Sequence, residues 1–273
     1  MSYLDLLHEF QAKNIPLDTP SFYDNENFLA EEQKDSEYLN KYSAFVASRP
    51  YSKQYLEIAR EKIQKIVSIL HAHLVQSNRQ GACIDISSVL TRILELEGIW
   101  CACLKGSLTI KFPAHSNEGD THFYSVTKNQ SCTPGHYWVY APPFKIIDIS
   151  IKEQAYDGRK KEYIPTFVMV EEAQTSTAEV EDIISPDVVR ELINIYKIPK
   201  KNQISYVCTS IGEIQKNFPP QVVNTDGGAR AKYTPTATHA SIEKLEGFGN
   251  FNFQGLTPYE LYKEIIEPSV KQN

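Results

Sequence analysis

A cysteine stands where a glycine turn gives way to an amphipathic helix, and this feature constrains the chain most. Apolar residues follow it with helical spacing, at Ile86, Val89, Leu90, Ile93, Leu94 and Leu96. Cys83 therefore falls in the first turn of the predicted helix, where backbone N–H groups lack intrahelical partners and the dipole is positive. Both effects favour the thiolate, the nucleophilic form of cysteine. The alternative is a small buried cysteine without a chemical role.

Composition predicts an ordinary globular protein with a sizeable core, since 41% of the 273 residues are hydrophobic and 23% are charged. The net charge of −6 and the lack of a basic block argue against a nucleic-acid partner. No run is long enough to span a membrane, and no amino-terminal signal segment is apparent. We therefore expect a cytoplasmic protein with reduced cysteines, export without a cleaved signal being the alternative.

The order of predicted elements gives an α+β chain in three parts. Residues 1–78 predict helices at 2–13, 26–47 and 52–76. Residues 79–175 predict the cysteine helix and then strands at 100–110, 122–126, 136–140, 144–151 and 163–171. Residues 176–273 predict a helix at 185–196, a strand at 204–209 and a last helix that begins with a capping box at Thr257. We expect the middle part to be the catalytic core and the last part to complete or cover its cleft. The alternative is that all three parts form one domain.

Two predicted strands around Pro142 could supply a base for the cysteine. If they pair antiparallel through a three-residue turn at 141–143, three pairs face each other: Tyr140 with Phe144, Trp138 with Ile146, and His136 with Asp148. Directly opposed residues have Cβ atoms roughly 4.5–5.5 Å apart, which permits a hydrogen bond. A slip of one residue would send the two side chains to opposite faces. The plainer alternative is a histidine at a strand end and an exposed aspartate.

These pieces resemble the transglutaminase-like branch of the papain-like cysteine enzymes over about residues 79–152. The matching segments are Gly81-Ala82-Cys83, the helix to Glu97-Gly98-Ile99, the strand Cys101–Gly106, the strand that follows Gly135, and the strand Lys145–Asp148. The resemblance implies a papain-like core in which an active-site helix packs on an antiparallel sheet. It further implies Cys83 as nucleophile, His136 as base and acid, and Asp148 as the residue that orients the histidine.

The resemblance also implies that the oxyanion is held by the Cys83 backbone N–H and one more donor. Papain-like enzymes often take that donor from a glutamine upstream of the cysteine, which here means Gln76 or Gln80. Should the hairpin register fail, His122 is the next candidate base and His115 a further one. Glu153 and Asp157 are weaker candidate acids.

The implied activity is acyl transfer from an amide or thioester through a thioester acyl-enzyme. We expect a peptidase or amidase acting on a protein or peptide, and no cofactor. The alternative is a transglutaminase or an arylamine-type N-acyltransferase that uses a small amine. The usual Arg-Gly-Gly of arylamine acetyltransferases is absent, because the chain reads Arg79-Gln80-Gly81-Ala82-Cys83. The calcium loop of animal transglutaminases is also not apparent, and a non-catalytic binding module is a further alternative.

Other signals do not predict a metal or phosphate site. Cys101 and Cys103 are too closely spaced for a typical structural zinc site, and Cys132 and His122 lie in separate segments. The signature of zinc deaminases is missing. The glycine turn at 227–228 lacks the lysine of a phosphate-binding loop.

Overall fold

The computed structural model describes residues 2–128 and 134–271. Helices dominate the amino-terminal part: α1 (Tyr3–Ala12), α2 (Glu26–Glu32), α3 (Leu39–Ser48), α4 (Lys53–Gln76) and α5 (Cys83–Leu96). Later helices are α6 (Val180–Ile183), α7 (Pro186–Asn194), α8 (Lys200–Val207), α9 (Ile211–Asn217), α10 (Pro258–Leu261) and α11 (Glu267–Lys271). A π-helical turn, Tyr262–Ile266, joins the last two.

The strands form an antiparallel sheet: β1 (Ala102–Lys111), β2 (Thr121–Phe123), β3 (His136–Ala141), β4 (Phe144–Asp148), β5 (Val168–Val170), β6 (Gln174–Thr175), β7 (Gln221–Asn224) and β8 (Arg230–His239). The order across the sheet is β5-β4-β3-β1-β8-β7-β6. One edge of β1 pairs with β3 along its first half and with β2 along its second half. The predicted α+β class is confirmed.

Helix α5 packs between α4 and the sheet, and this packing positions its first residue. The α4 stripe predicted at 52–76 is buried and meets the apolar face of α5 in one core that also includes Val139 and Ile147. Ser87 Oγ of α5 donates to the Tyr137 carbonyl of β3 at 3.1 Å. The amino-terminal end of α5 is thereby held against the strand that carries His136.

Two sequence predictions about local structure are wrong. The helix predicted over 26–47 is split into α2 and α3, because the side chain of Asp35 accepts from the backbone N–H of Glu37 and forms a turn instead. The strand predicted at 204–209 is helix α8. Ile204 and Val207 are three residues apart and pack in the same cluster, which is helical spacing.

The central strand β8 has no counterpart among the predicted strands. It pairs with β1, and it contains Pro235, which normally argues against an interior strand. The pairing shifts between Lys105 and Gly106, and the resulting bulge leaves Thr236 as an extra residue. The bulge accommodates the proline, so the sheet joins strands from the second and the third predicted parts of the chain.

The predicted register of the hairpin is wrong, by one residue at the turn and by two residues beyond an irregularity in the pairing between Val139 and Ala141. Ala141 pairs with Phe144 through a turn of Pro142 and Pro143, and Val139 pairs with Ile147. That pairing places Asp148 opposite Trp138 and makes His136 its diagonal neighbour. Because a shift of two residues preserves the face of every side chain, the histidine and the aspartate still lie on one side of the sheet.

Among the described residues, no helix has the length and apolarity needed to cross a bilayer.

Candidate active site

Cys83 is the first residue of α5, as the spacing predicts, and its side chain is largely buried. Ala82 precedes it and provides no side-chain cap, so the first-turn N–H groups point toward the site without a capping side chain. Gly81 adopts a positive φ of 70° and donates its N–H to the Glu153 carbonyl at 2.9 Å. This bond ties the turn before the cysteine to the segment that follows β4.

His136 and Asp148 form a buried pair on β3 and β4. His136 Nε2 donates to Asp148 Oδ2 at 2.6 Å, and both side chains are fully buried. The carboxylate also accepts from Tyr233 Oη at 3.0 Å, and its second oxygen accepts from the backbone N–H and the Oγ of Ser150, each at 3.0 Å. Four donors therefore surround Asp148, so both of its buried oxygens have hydrogen-bond partners.

The second ring nitrogen of His136 is not used by Asp148. Nδ1 is buried and makes no hydrogen bond of ordinary geometry with any described residue. Burial works to lower the pKa of His136, but Asp148 and the Cys83 side chain outweigh it and raise that pKa to about 10. The thiol thus lies close enough to act on the ring, without ideal hydrogen-bond geometry, a common state for a nucleophile and base without substrate.

A cavity of about 370 Å³ opens in front of Cys83. Its walls come from the turn before α5, from β2 and the residues after it, from the start of β3, and from the segment after β4: Gly81, Cys83, Ile84, His122, Phe123, Tyr124, Thr127, Pro134, Gly135, Gln154 and Ala155. The volume lies at the lower end of the range for small-molecule sites. The cysteine is therefore reachable from a shaped pocket.

The two glutamines expected to hold the oxyanion are elsewhere. Gln76 and Gln80 are exposed, at the end of α4 and in the following turn, and neither lines the cavity. Gln154 does line it, is buried, and donates its amide Nε2 to the Ser150 carbonyl at 2.9 Å. A side-chain amide with two N–H groups can make that bond and still offer a donor to a substrate.

Of the alternative acids and bases, all but one have side chains that do not line the Cys83 cavity. His115 is exposed, and Asp157 pairs with Lys160 on the surface. Glu153 contributes its backbone carbonyl to Gly81. The exception is His122, which lines the cavity but whose Nδ1 lies 3.4 Å from Thr109 Oγ1.

Among the described residues, no three histidine, cysteine or acidic side chains gather as a metal site would require. Cys101 and Cys103 are buried, and burial raises the pKa of both thiols. Cys132 lies outside the described residues.

Sequence reasoning missed Tyr233, Ser150 and Gln154. Ser150 had a local signal, because an aspartate two residues before a serine often accepts from its backbone N–H. Tyr233 had none, since it reaches Asp148 only through the unpredicted strand β8.

Comparison with protein-family models, with curated proteins and with solved structures found no match for this chain.

Proposed function

We propose that this chain is a cysteine-nucleophile enzyme of the transglutaminase-like, papain-like type, which acts on an amide or thioester through a thioester acyl-enzyme. The buried His136–Asp148 pair beside Cys83 carries the proposal, because full burial with a 2.6 Å bond serves no evident folding purpose. Replacing such a pair by apolar residues is often neutral or stabilising, so its presence favours a chemical role.

In the proposed first half-reaction, His136 Nδ1 takes the proton of Cys83 Sγ. The thiolate attacks the substrate carbonyl carbon, and the carbonyl π electrons move to oxygen. Asp148 keeps Nε2–H fixed and stabilises the imidazolium, as in other acid–histidine pairs. The raised pKa of His136 is consistent with an imidazolium that persists at neutral pH.

The Cys83 backbone N–H and the Gln154 amide are our candidates for the two donors to the oxyanion. Collapse of the tetrahedral species re-forms the carbonyl and expels the amine or thiol, which takes its proton from His136 Nδ1. The acyl group then remains on Cys83 Sγ as a thioester. His136 next removes a proton from the incoming nucleophile, which attacks the thioester and releases the thiolate.

Water as the nucleophile gives a peptidase or amidase, the function that we propose first. An amine gives a transferase, and one observation favours this second candidate. A second cavity of about 470 Å³ shares Ile84 with the first, and its lining mixes charged side chains, Arg79 and Asp85, with apolar ones such as Phe251. Such a surface could receive a polar acceptor on the far side of Ile84.

The test is trapping of the acyl-enzyme. The wild-type chain, Cys83→Ala and Cys208→Ala are each incubated with a small acetyl thioester, and intact mass followed by peptide mapping locates any added acetyl group. Acetylation at Cys83, kept in Cys208→Ala and lost in Cys83→Ala, supports the proposal. Its decay in water against decay with added amine separates the hydrolase from the transferase. A wild-type chain that never carries an acyl group on Cys83, with this thioester or with larger ones, would refute the enzyme proposal.

A further inference from the structure

Apart from Cys83, the described side chains that line the Cys83 cavity bear no formal charge. None of the described lining residues is aspartate, glutamate, lysine or arginine. Its one titratable group besides the cysteine and tyrosine is His122, and burial lowers the pKa of that ring, which favours its neutral form. A charged group that entered would lose its hydration and find no counter-ion among these residues.

Two ionised groups behind this wall, Asp182 and Lys232, neutralise each other. Asp182 is buried, forms an ion pair with Lys232 at 2.5 Å, and accepts from the backbone N–H of Glu179 at 3.0 Å. Its other oxygen accepts from Thr109 Oγ1 at 3.2 Å, and that hydroxyl lies next to His122. The arrangement holds the His122 ring in place without presenting a net charge to the cavity.

The same wall presents flat rings. His122 and Tyr124 stack with centroids 5.1 Å apart and planes only 3° from parallel. Phe123 lies between them in the chain and packs against the His136 ring at 5.6 Å. All three of these residues line the cavity. Aromatic faces and edges prefer another planar apolar group, by roughly two- to tenfold in an equilibrium.

We infer that the cavity is an acyl pocket for a small, uncharged aromatic acyl group, with the stacked His122 and Tyr124 as its specificity-determining wall. The inference rests on the proposed acyl transfer at Cys83. The carbonyl carbon would lie at the sulfur, between the helix start and Gln154, and the ring of the acyl group would lie along β2. The volume of about 370 Å³ suits one such group rather than a long peptide segment.

The test compares four thioesters of one small thiol: acetyl, benzoyl, cyclohexanecarbonyl and 4-carboxybenzoyl. The readout is the rate at which each acyl group appears on Cys83 by intact mass. We expect benzoyl to exceed 4-carboxybenzoyl by at least about tenfold and cyclohexanecarbonyl by about threefold. In Tyr124→Leu and His122→Ala, the ratio of the benzoyl rate to the cyclohexanecarbonyl rate should fall to about one.

A gain-of-function variant keeps the test independent of folding defects. Ala155 is exposed at the cavity wall, so Ala155→Arg should raise the 4-carboxybenzoyl rate relative to benzoyl, and Ala155→Gln should not. Acylation by all four thioesters at similar rates, or ratios that ignore Tyr124 and Ala155, would overturn the pocket assignment and leave the proposed function intact. Failure of every thioester, acetyl included, would overturn both.

Discussion

Tyr233 donates its hydroxyl hydrogen to Asp148 Oδ2 at 3.0 Å, although 85 residues separate the two along the chain. Both side chains are buried, and the same carboxylate oxygen accepts from His136. The interior strand β8 thus contributes a donor to Asp148 of β4, although β1 and β3 lie between these two strands in the sheet. Tyr233 is a positioning residue, because it acts on the cysteine only through Asp148 and His136.

Removal of that hydroxyl should weaken catalysis without removing the triad. In Tyr233→Phe we expect the rate of Cys83 acylation to fall about two- to tenfold, since Asp148 loses one of four donors and holds His136 less firmly. The pH at which acylation is half-maximal should shift as well. Tyr156→Phe is the matched control, because its hydroxyl donates to the Ile151 carbonyl at 2.6 Å and not to Asp148. Equal effects of the two variants would contradict a role through Asp148.

Gln154 should contribute to acylation but not to alkylation. Attack on a carbonyl develops an oxyanion, whereas attack on iodoacetamide does not, so only acylation needs the Gln154 donor. We expect Gln154→Ala to lower the acylation rate by about 10²–10³ and to leave the alkylation rate within about threefold. Gln76→Ala and Gln80→Ala serve as controls, since both side chains are exposed and away from the cavity. A rate loss of equal size in both reactions would indicate that Gln154 is only structural.

The parts of the fold and site that could be predicted from the sequence depend on local patterns. These are the helical spacing of apolar residues and the alternation of side chains between the two faces of a strand. The α5 stripe places Cys83 at a helix start, and the parity of the hairpin places His136 and Asp148 on one face despite a register error of two residues. A two-residue proline turn, rather than three, shifts the pairing by one residue, and an irregularity in the pairing between Val139 and Ala141 adds the second. Pattern alone selects neither the turn length nor the position of a bulge.

What could not be predicted depends on long-range pairing. Strand β8 carries Pro235 and reads as a poor interior strand until the bulge opposite Gly106 is known. Gly106 itself is required there, since a Cβ would lie 2.2 Å from the Thr234 carbonyl oxygen. Without β8, neither the order of the sheet nor the contact of Tyr233 with the site could be inferred.

The buried carboxyl of Glu95 should make stability pH-dependent. Burial raises the pKa of Glu95 to about 7, even though Tyr23 Oη donates to it at 2.6 Å and Arg92 at 3.0 Å. Because the folded-state pKa lies above the ordinary value of 4.5, the associated stability is complete below pH 4.5 and is lost as pH rises through 7.

Glu95→Gln removes this titration. The free energy of unfolding of the variant minus that of the wild type should therefore rise by up to about 3 kcal/mol between pH 4.5 and pH 8. Urea denaturation at both pH values measures the change. The matched control is Glu97→Gln, because Glu97 lies two residues further along the chain and forms an ion pair with Lys62. A difference between Glu95→Gln and wild type that is constant with pH would contradict a perturbed Glu95.

The central claim, that His136 activates Cys83, is tested most directly by the rate of Cys83 alkylation with iodoacetamide from pH 5 to 9, read by peptide mass spectrometry. Cys208, whose pKa is raised by burial, is an unactivated reference in the same digest, and His115→Ala is the control for His136→Ala. We predict rapid Cys83 alkylation well below pH 8, a loss of at least about tenfold at pH 6.5 in His136→Ala, and no change in His115→Ala. A Cys83 rate that rises only near pH 8.5, alike in all three proteins, would contradict the account.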